Sequence, residues 1–194
     1  MSIMKRIILI VFLMGLIMSC KKEYLETSNY RGSYYTTSIE WSSPIDLAGS
    51  GNCQTSILNQ LLSYSWRGGL SSSPAQFENN HISSYTDYTF ALVLYLPFPD
   101  CDNNRSIQGS LKKGVCHTFV NKYTIYFNAY ANGTAVINKI NNCNNDSYDC
   151  YENHRLYFTN NNELIFEADG YFYDWATEKL QDGHIKVRLK KTSE

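Results

Sequence analysis

The pair Asn132-Gly133 constrains the fold more than any other feature of this sequence. Both positions of a two-residue type I′ hairpin turn need positive φ, and Asn-Gly is a pair that meets this need well. Folding the chain about this turn pairs Ile125 with Ile140 and makes one face of the hairpin apolar. Asn138 is the single misfit on that face, which marks it as a ligand contact, a hydrogen-bonded interior residue or the sign of a register slip. The segment therefore predicts two antiparallel strands.

The same register divides this hairpin into an inner and an outer face. It pairs Phe127 with Asn138 on the inner face and leaves Tyr126 and Tyr130 on the outer one. A tyrosine presents an apolar body and a polar tip, so an exposed tyrosine is suited to stacking on a sugar ring. We therefore predict Tyr126, Tyr130 and Asn138 as candidate ligand contacts.

Four other segments have the composition of strands. Residues 34–41 are rich in β-branched and aromatic side chains, and residues 90–96 are apolar on both alternating faces, as in a strand covered on both sides. Residues 155–159 and 184–190 alternate apolar and polar side chains, with His184 on the outward, solvated face. Together with the hairpin, these segments predict a mainly β chain, an antiparallel meander that forms a barrel or a sandwich.

A second hairpin is predicted at Asp169-Gly170, another pair that favours a tight turn. This turn would set Phe166 opposite Tyr173 on one continuous apolar face that also carries Trp175. The aromatic side chains of this segment are therefore interpreted as core residues rather than as exposed contacts.

One short helix is predicted near residues 55–64. Its apolar side chains recur at the i, i+3 and i+4 spacing of one buried face. They are Ile57, Leu58, Leu61 and Leu62. The preceding residues 46–51 have the first Asp and the sixth Gly of a calcium loop, but Ala48 supplies no side-chain oxygen. We therefore interpret this segment as a glycine-rich turn that leads into the helix.

The N-terminal region predicts export and a lipid anchor. Lys5 and Arg6 precede an apolar run over residues 7–17, which has the length of a signal-peptide core and is shorter than the roughly 20 residues of a membrane span. Residues 17–20 (Ile-Met-Ser-Cys) resemble a bacterial lipobox, in which a small residue precedes the cysteine that receives the lipid. This resemblance implies that Cys20 is acylated and anchors the chain in a membrane. An ordinary cleaved signal peptide with a chance cysteine is the alternative.

Residues 21–26 (Lys-Lys-Glu-Tyr-Leu-Glu) resemble the surface-export signal of Bacteroidota lipoproteins, with a plain charged spacer as the alternative. The meander, the short helix and the N-terminal motif are together similar to the lipocalin-like lipoproteins of Bacteroidota. The chain thus divides into a signal peptide (1–20), a tether (21–32) and one β domain (33–194). The resemblance implies a protein held at the outer membrane by its lipid, facing the periplasm or the cell surface.

Five cysteines lie in the predicted β domain, in a compartment that permits disulfides. Cys143 and Cys150 enclose a short polar loop and Cys101 and Cys116 bracket a longer one, so these two pairs are candidate disulfides. This pairing leaves Cys53 single, and sequence alone does not determine the connectivity. Because the chain has no C-x-x-C pair, structural zinc is a weak alternative.

Charge and motifs argue against an enzyme and against nucleic acid as a partner. The chain has 17 Lys and Arg against 18 Asp and Glu, with no basic stripe. It has neither H-E-x-x-H nor G-x-S-x-G, so no metal, cofactor or catalytic residue is predicted. Asp146, Asp149, Glu152 and His154 cluster in one segment, where they would bind a cation, act as an acid–base pair or belong to a structural polar loop.

These observations lead us to expect a non-enzymatic, membrane-anchored lipoprotein that binds a small apolar molecule or a glycan. The alternative is a structural or interaction lipoprotein, such as an accessory subunit or an inhibitor, that uses a sheet face against a protein partner. An enclosed apolar cavity would favour the first function, and a filled core with an exposed apolar patch would favour the second.

Overall fold

The computed structural model describes residues 30–63, 77–86, 88–100, 117–130, 133–142, 151–159 and 163–192. These residues form nine strands and one short helix. In chain order the elements are β1 (Gly32–Ile45), β2 (Gln54–Ser56), α1 (Leu58–Ser63), β3 (Asn80–Ser84), β4 (Phe90–Asp100), β5 (His117–Ala129), β6 (Thr134–Asn142), β7 (Tyr151–Phe158), β8 (Glu163–Asp174) and β9 (Lys179–Lys191). Within these ranges, no helix is long and apolar enough to cross a membrane.

Eight of the strands close into an antiparallel barrel. Neighbours pair in the order β1-β3-β4-β5-β6-β7-β8-β9, and β9 returns to pair with β1. The closing ladder runs from the Tyr34–Lys191 pair to the Trp41–Ile185 pair. The three-residue strand β2 is not one of these eight strands. It pairs with the later part of β1, on the same side as β3. The predicted β fold with one short helix is confirmed. Because β1 pairs with β9, the sheet is closed, and the fold is the barrel rather than the sandwich.

The short helix begins later than predicted. Residues 54–56 are extended because they pair with β1, and the Ile57 amide then donates to the Ile39 carbonyl at 2.8 Å. The predicted apolar face is largely correct, since Ile57, Leu58 and Leu61 are buried, but Leu62 is exposed. The helix has only six residues, so it buries a narrower apolar stripe than the spacing of the four side chains predicted.

Aromatic side chains from separate walls meet inside the barrel. The ring centroid of Phe172 lies 4.7 Å from that of Trp41 and 6.3 Å from that of Tyr151. The Tyr151 centroid lies 6.0 Å from that of Tyr123. All four rings are buried, and Cα atoms of β8 also come within 8 Å of those of β4 on the opposite wall. The described part of the interior is therefore packed with side chains.

The predicted hairpin at Asp169-Gly170 is wrong, because both residues lie inside the continuous strand β8. Gly170 pairs with Tyr151 of β7 on one side and with Gly183 of β9 on the other, and a strand held by two ladders cannot reverse direction. A Cβ added at Gly183 would lie 2.5 Å from the Cζ2 atom of Trp41. The indole therefore occupies the space that a larger side chain would need.

The turn between β8 and β9 instead follows Asp174. Its carboxylate accepts a 2.7 Å hydrogen bond from the Thr177 hydroxyl, the kind of local bond that favours Asp at the start of a turn. Because β8 continues to this point, Phe166 faces Val187 and not Tyr173.

The hairpin formed by β5 and β6 keeps the predicted pairing of Ile125 with Ile140 but differs near its turn. The Tyr130 amide donates to the Thr134 carbonyl at 2.9 Å, so the turn contains three residues rather than two. Gly133, the last of the three, has a φ of +80°. A three-residue loop that ends in a left-handed residue is a common hairpin connection.

A β-bulge at Asn138 compensates for the extra residue in this turn. Phe127 pairs with Ile137, whereas Tyr126 pairs with Lys139, so that two residues of β6 oppose one of β5. A bulge redirects the side chain it carries, and Asn138 is exposed on the outer surface. The predicted inward position of Asn138 is therefore wrong, and the register slip is the alternative that holds.

The segment after β1 folds around the carboxylate of Asp46, which is only 1% exposed. Its Oδ1 atom accepts hydrogen bonds from the amides of Ala48 and Ser50, each at 3.1 Å, and its Oδ2 accepts one from the Gly51 amide at 2.6 Å. Gly51 has a φ of +78°, which an L-residue with a side chain rarely adopts. The segment is the glycine-rich turn expected from the sequence, built on backbone amides around one carboxylate.

Two buried polar side chains fasten this turn to the barrel. Asp174 Oδ1 accepts a hydrogen bond from the Asp46 amide at 3.0 Å, and Gln60 Oε1 of α1 accepts one from the Leu47 amide at 2.8 Å. Burial raises the pKa of the Asp174 carboxyl, but hydrogen bonds from Asp46 and Thr177 outweigh it and hold that pKa below its usual value. The Asp174 carboxylate is thus ionised, and each of its oxygens accepts a hydrogen bond that holds a turn in place.

Candidate functional site

Tyrosine and amide side chains gather on the outer surface of the barrel near the β3–β4 loop. We call this group the tyrosine–asparagine face, and its members are Tyr85, Thr89, Tyr126, Asn128 and Asn138. Tyr126 and Asn128 share the outer side of β5 because they are two residues apart, and the bulge brings Asn138 to the same side. The loop is closed by the Tyr85 amide, which donates to the Thr89 carbonyl at 2.8 Å.

The aromatic part of this face is the pair Tyr85 and Tyr126. Their ring centroids lie 4.8 Å apart with the planes at 68°, an edge-to-face arrangement that aromatic pairs favour. The Tyr85 side chain is nevertheless 65% exposed. Tyr126 therefore supports an aromatic ring that remains open to a ligand.

The polar part of this face is a chain of three side chains. Asn128 Oδ1 accepts hydrogen bonds from Asn138 Nδ2 at 2.9 Å and from Thr89 Oγ1 at 3.0 Å. Among the described residues, Asn128 Nδ2 and Asn138 Oδ1 have no protein partner, which leaves one amide donor and one amide acceptor at the surface. The chain fixes the orientation of both amides, so the face presents its donor and its acceptor in a set geometry.

Two of the three predicted contacts thus belong to one surface. Asn138 contacts Asn128, which lies on the same outer side of β5 as Tyr126, although the sequence had placed Tyr126 and Asn138 on opposite faces of the hairpin. The third, Tyr130, is half-buried at the start of the β5–β6 turn. Sequence reasoning missed Tyr85 as a contact, although a strand-ending Tyr in a polar loop is a signal that could have drawn attention to it.

A second surface feature is a groove of about 580 Å³ beside β7, β8 and β9, which we call the acidic groove. Its acidic side chains are Glu152, Asp169 and Asp182. Asp169 Oδ1 lies 2.8 Å from Nδ1 of His184, and this hydrogen bond is the main reason that the pKa of the Asp169 carboxyl is lowered. His184 therefore faces outward, as predicted, and its ring is held by a carboxylate.

The acidic groove does not have the geometry of a nucleophilic site. Ser42 Oγ accepts a 3.0 Å hydrogen bond from the backbone amide of His184, whereas the ring of His184 contacts Asp169. Activation of a serine requires a hydrogen bond between its hydroxyl and the base itself.

The polar segment predicted as a cation or acid–base site is not assembled by its described members. Glu152 lines the acidic groove, whereas His154 lines a different groove of about 610 Å³, with its ring centroid 6.0 Å from that of Phe166. Within the ranges that the structure describes, no three His, Cys, Asp or Glu side chains are placed to hold a metal ion.

Cys53 is exposed and carries a free thiol. Several other predicted positions lie outside the described residues. They are Cys20, Cys101, Cys116, Asn132, Cys143, Asp146, Asp149 and Cys150.

No family model matches this chain, and neither a curated protein nor a solved structure is significantly similar to it.

Proposed function

We propose that this protein is an outer-membrane lipoprotein, anchored through Cys20, whose barrel binds a glycan on the tyrosine–asparagine face. The observation that carries the proposal is the exposed Tyr85 ring beside the linked amides of Asn128 and Asn138. An exposed ring offers an apolar surface to the C–H side of a sugar, and the amides offer a donor and an acceptor to its hydroxyl groups.

The composition of the face narrows the class of ligand. All five members are uncharged, and the nearest cation in the register is the exposed Lys139, which pairs with Tyr126. An oligosaccharide rich in hydroxyl groups is therefore the ligand that we propose, and Lys139 would let it carry an acidic group.

The packing of the barrel interior supports an outer site over an inner one. Small-molecule sites are usually concave and bury most of the ligand. The buried rings of Trp41, Phe172, Tyr151 and Tyr123 occupy the described interior instead. We therefore prefer a glycan on the outer surface to a small apolar molecule inside the barrel.

Replacing Tyr85 with alanine is expected to weaken oligosaccharide binding about tenfold, or about 1.4 kcal/mol, because the exposed stacking surface is lost. The protein, extracted from membranes in detergent, would first be screened on an array of neutral and acidic oligosaccharides. The best-bound sugar would then be titrated calorimetrically against wild type and variant.

Tyr95→Ala is the matched control for this experiment. Tyr95 is a half-buried tyrosine on β4 that lies five residues beyond Phe90, away from the face. Its replacement should leave the affinity unchanged. Equal affinities of wild type and Tyr85→Ala, or an array on which no sugar binds, would refute the glycan proposal.

Replacing Cys20 with alanine is expected to abolish incorporation of labelled palmitate, because the thiol that receives the lipid is lost. The unprocessed precursor should accumulate, and it would be seen as a slower band on a denaturing gel. Cys53→Ala is the control, since that exposed cysteine immediately precedes β2, far along the chain from Cys20, and should not affect labelling. Continued labelling of Cys20→Ala would disprove the lipid anchor.

A further inference from the structure

The strand order places the start of the barrel and the β3–β4 loop at the same end. Gly32, the first residue of β1, pairs with Ile82 near the end of β3, and Tyr34 pairs with Lys191 at the end of β9. Because β3 and β4 are antiparallel, the connection that carries Tyr85 and Tyr88 extends beyond this point. We call this part of the barrel the anchor end.

The chain is attached firmly where it enters the anchor end. Tyr34 Oη donates a 2.8 Å hydrogen bond to the carbonyl of Tyr30. The Tyr30 ring also packs on Phe158, with centroids 4.1 Å apart. The path toward the N-terminus therefore leaves the barrel at a defined position.

The length of chain before Tyr30 limits how far the barrel can lie from a lipid on Cys20. Ten residue steps separate the two positions, and even a fully extended chain covers at most about 36 Å over that length. The opposite end of the barrel lies a strand length further away. Of the two ends, the anchor end is therefore the one held close to the bilayer.

The side chains of the anchor end suit the membrane interface. The Tyr88 side chain, in the β3–β4 loop, is 59% exposed. Tyrosine is enriched at membrane interfaces, where its apolar ring and its hydroxyl meet lipid and water together. The acidic groove, with Glu152, Asp169 and Asp182, lies toward the opposite end, which anionic lipid head groups would repel.

We infer that the barrel docks on the bilayer through its anchor end, with Tyr88 in the head-group region and Tyr85, which belongs to the tyrosine–asparagine face, outside this contact. This inference goes beyond glycan binding, but it rests on the proposed lipid at Cys20. The occupant of this surface is the lipid bilayer itself.

Tryptophan fluorescence tests this orientation. The lipidated full-length protein would be placed in vesicles of phosphatidylcholine and phosphatidylglycerol. The phosphatidylcholine would carry bromine on the acyl-chain carbons nearest the head group. Bromine quenches only those indoles that lie at the membrane. We expect the tryptophan added by Tyr88→Trp to lose at least twice the fraction of its fluorescence lost by the one added by Leu180→Trp.

Leu180 is the matched control because it is 53% exposed on β9, near the turn at the opposite end. The native tryptophans contribute equally to both variants, and circular dichroism would show that both retain the barrel. Equal quenching of the two added tryptophans would overturn the inference.

Flotation of the wild-type chain with the same vesicles separates this inference from the proposed anchor. A chain that floats but gives equal quenching retains its lipid and does not dock, so only the docking inference fails. A chain that fails to float lacks the anchor, and both proposals then fail. Glycan binding is measured in detergent and does not depend on either result.

Discussion

Replacing Asp46 with alanine is expected to lower the free energy of unfolding by about 3 kcal/mol, since a hydrogen bond to a charged group contributes about 1.5–3 kcal/mol. The carboxylate accepts hydrogen bonds from the amides of Ala48, Ser50 and Gly51, and the variant leaves all three without this acceptor. Ser50 and Gly51 are exposed, so their amides would bind water instead, which keeps the expected loss below the sum of three such hydrogen bonds.

Urea denaturation measures this effect. With a slope of about 2 kcal/mol per M for a domain of this size, the midpoint should fall by about 1.5 M. Asp46→Asn keeps one acceptor oxygen and should show an intermediate midpoint. Asp182→Ala is the matched control, because Asp182 is exposed and its removal should change stability by less than about 0.5 kcal/mol. If Asp46→Ala unfolds at the wild-type midpoint, the turn is held by other contacts.

Replacing Gly183 with alanine is expected to destabilise the barrel by about 3 kcal/mol, the upper part of the range for overpacking. The new Cβ would lie 2.5 Å from Cζ2 of Trp41 and 2.7 Å from Oγ of Ser42. The indole cannot shift easily, because its ring packs against Phe172 and its Nε1 donates a 3.3 Å hydrogen bond to Gln181. Gly183 is held by its pairing with Gly170 of β8 and Trp41 by its pairing with Ile185 of β9, so movement of the backbone would relieve only part of the contact.

A double-mutant cycle identifies the obstacle. In a Trp41→Phe background the smaller ring leaves room for a methyl group, so Gly183→Ala should then cost only about 1 kcal/mol. Couplings of this size are common between residues in direct contact. Thermal or urea unfolding of the four proteins gives the coupling energy. A Gly183→Ala cost that is equal in both backgrounds would show that Trp41 is not the cause.

The strands themselves were largely predictable from local pattern. Residues 34–41, 90–96 and 184–190 all lie inside observed strands, which extend further at their ends. In β4, for example, the strand continues through Pro97 and Pro99 to Asp100. The prolines suggested an earlier end, but the pairing of Pro97 with Val120 and of Pro99 with Thr118 keeps the segment extended.

Turns were less predictable, because dipeptides that favour a tight turn, here Asn-Gly and Asp-Gly, also occur inside strands. Gly133 is in a turn and has positive φ, whereas Gly170 lies within β8 opposite Gly183. Local propensity favours a turn at both places. At Gly170, hydrogen bonds to two neighbouring strands outweigh that propensity.

The candidate site shows the same limit. The outward position of Tyr126 follows from alternation in β5, and the pattern is sufficient to predict it. The outward position of Asn138 depends on the bulge, which in turn depends on the three-residue turn before it. The partnership of Tyr126 with Tyr85 joins residues 41 positions apart in the chain, and no local pattern encodes that contact.

The sequence by itself determined the β class of the chain, the position of most strands and one short helix, because side-chain alternation and spacing act over a few residues. It also supplies the motif from which we propose the lipid anchor at Cys20. Only the tertiary structure decided that the meander closes by pairing β1 with β9, that β8 runs straight through Asp169-Gly170, and that Tyr85, Tyr126, Asn128 and Asn138 share one surface. These features depend on ladders and packing between residues far apart in the chain, which local propensities do not contain.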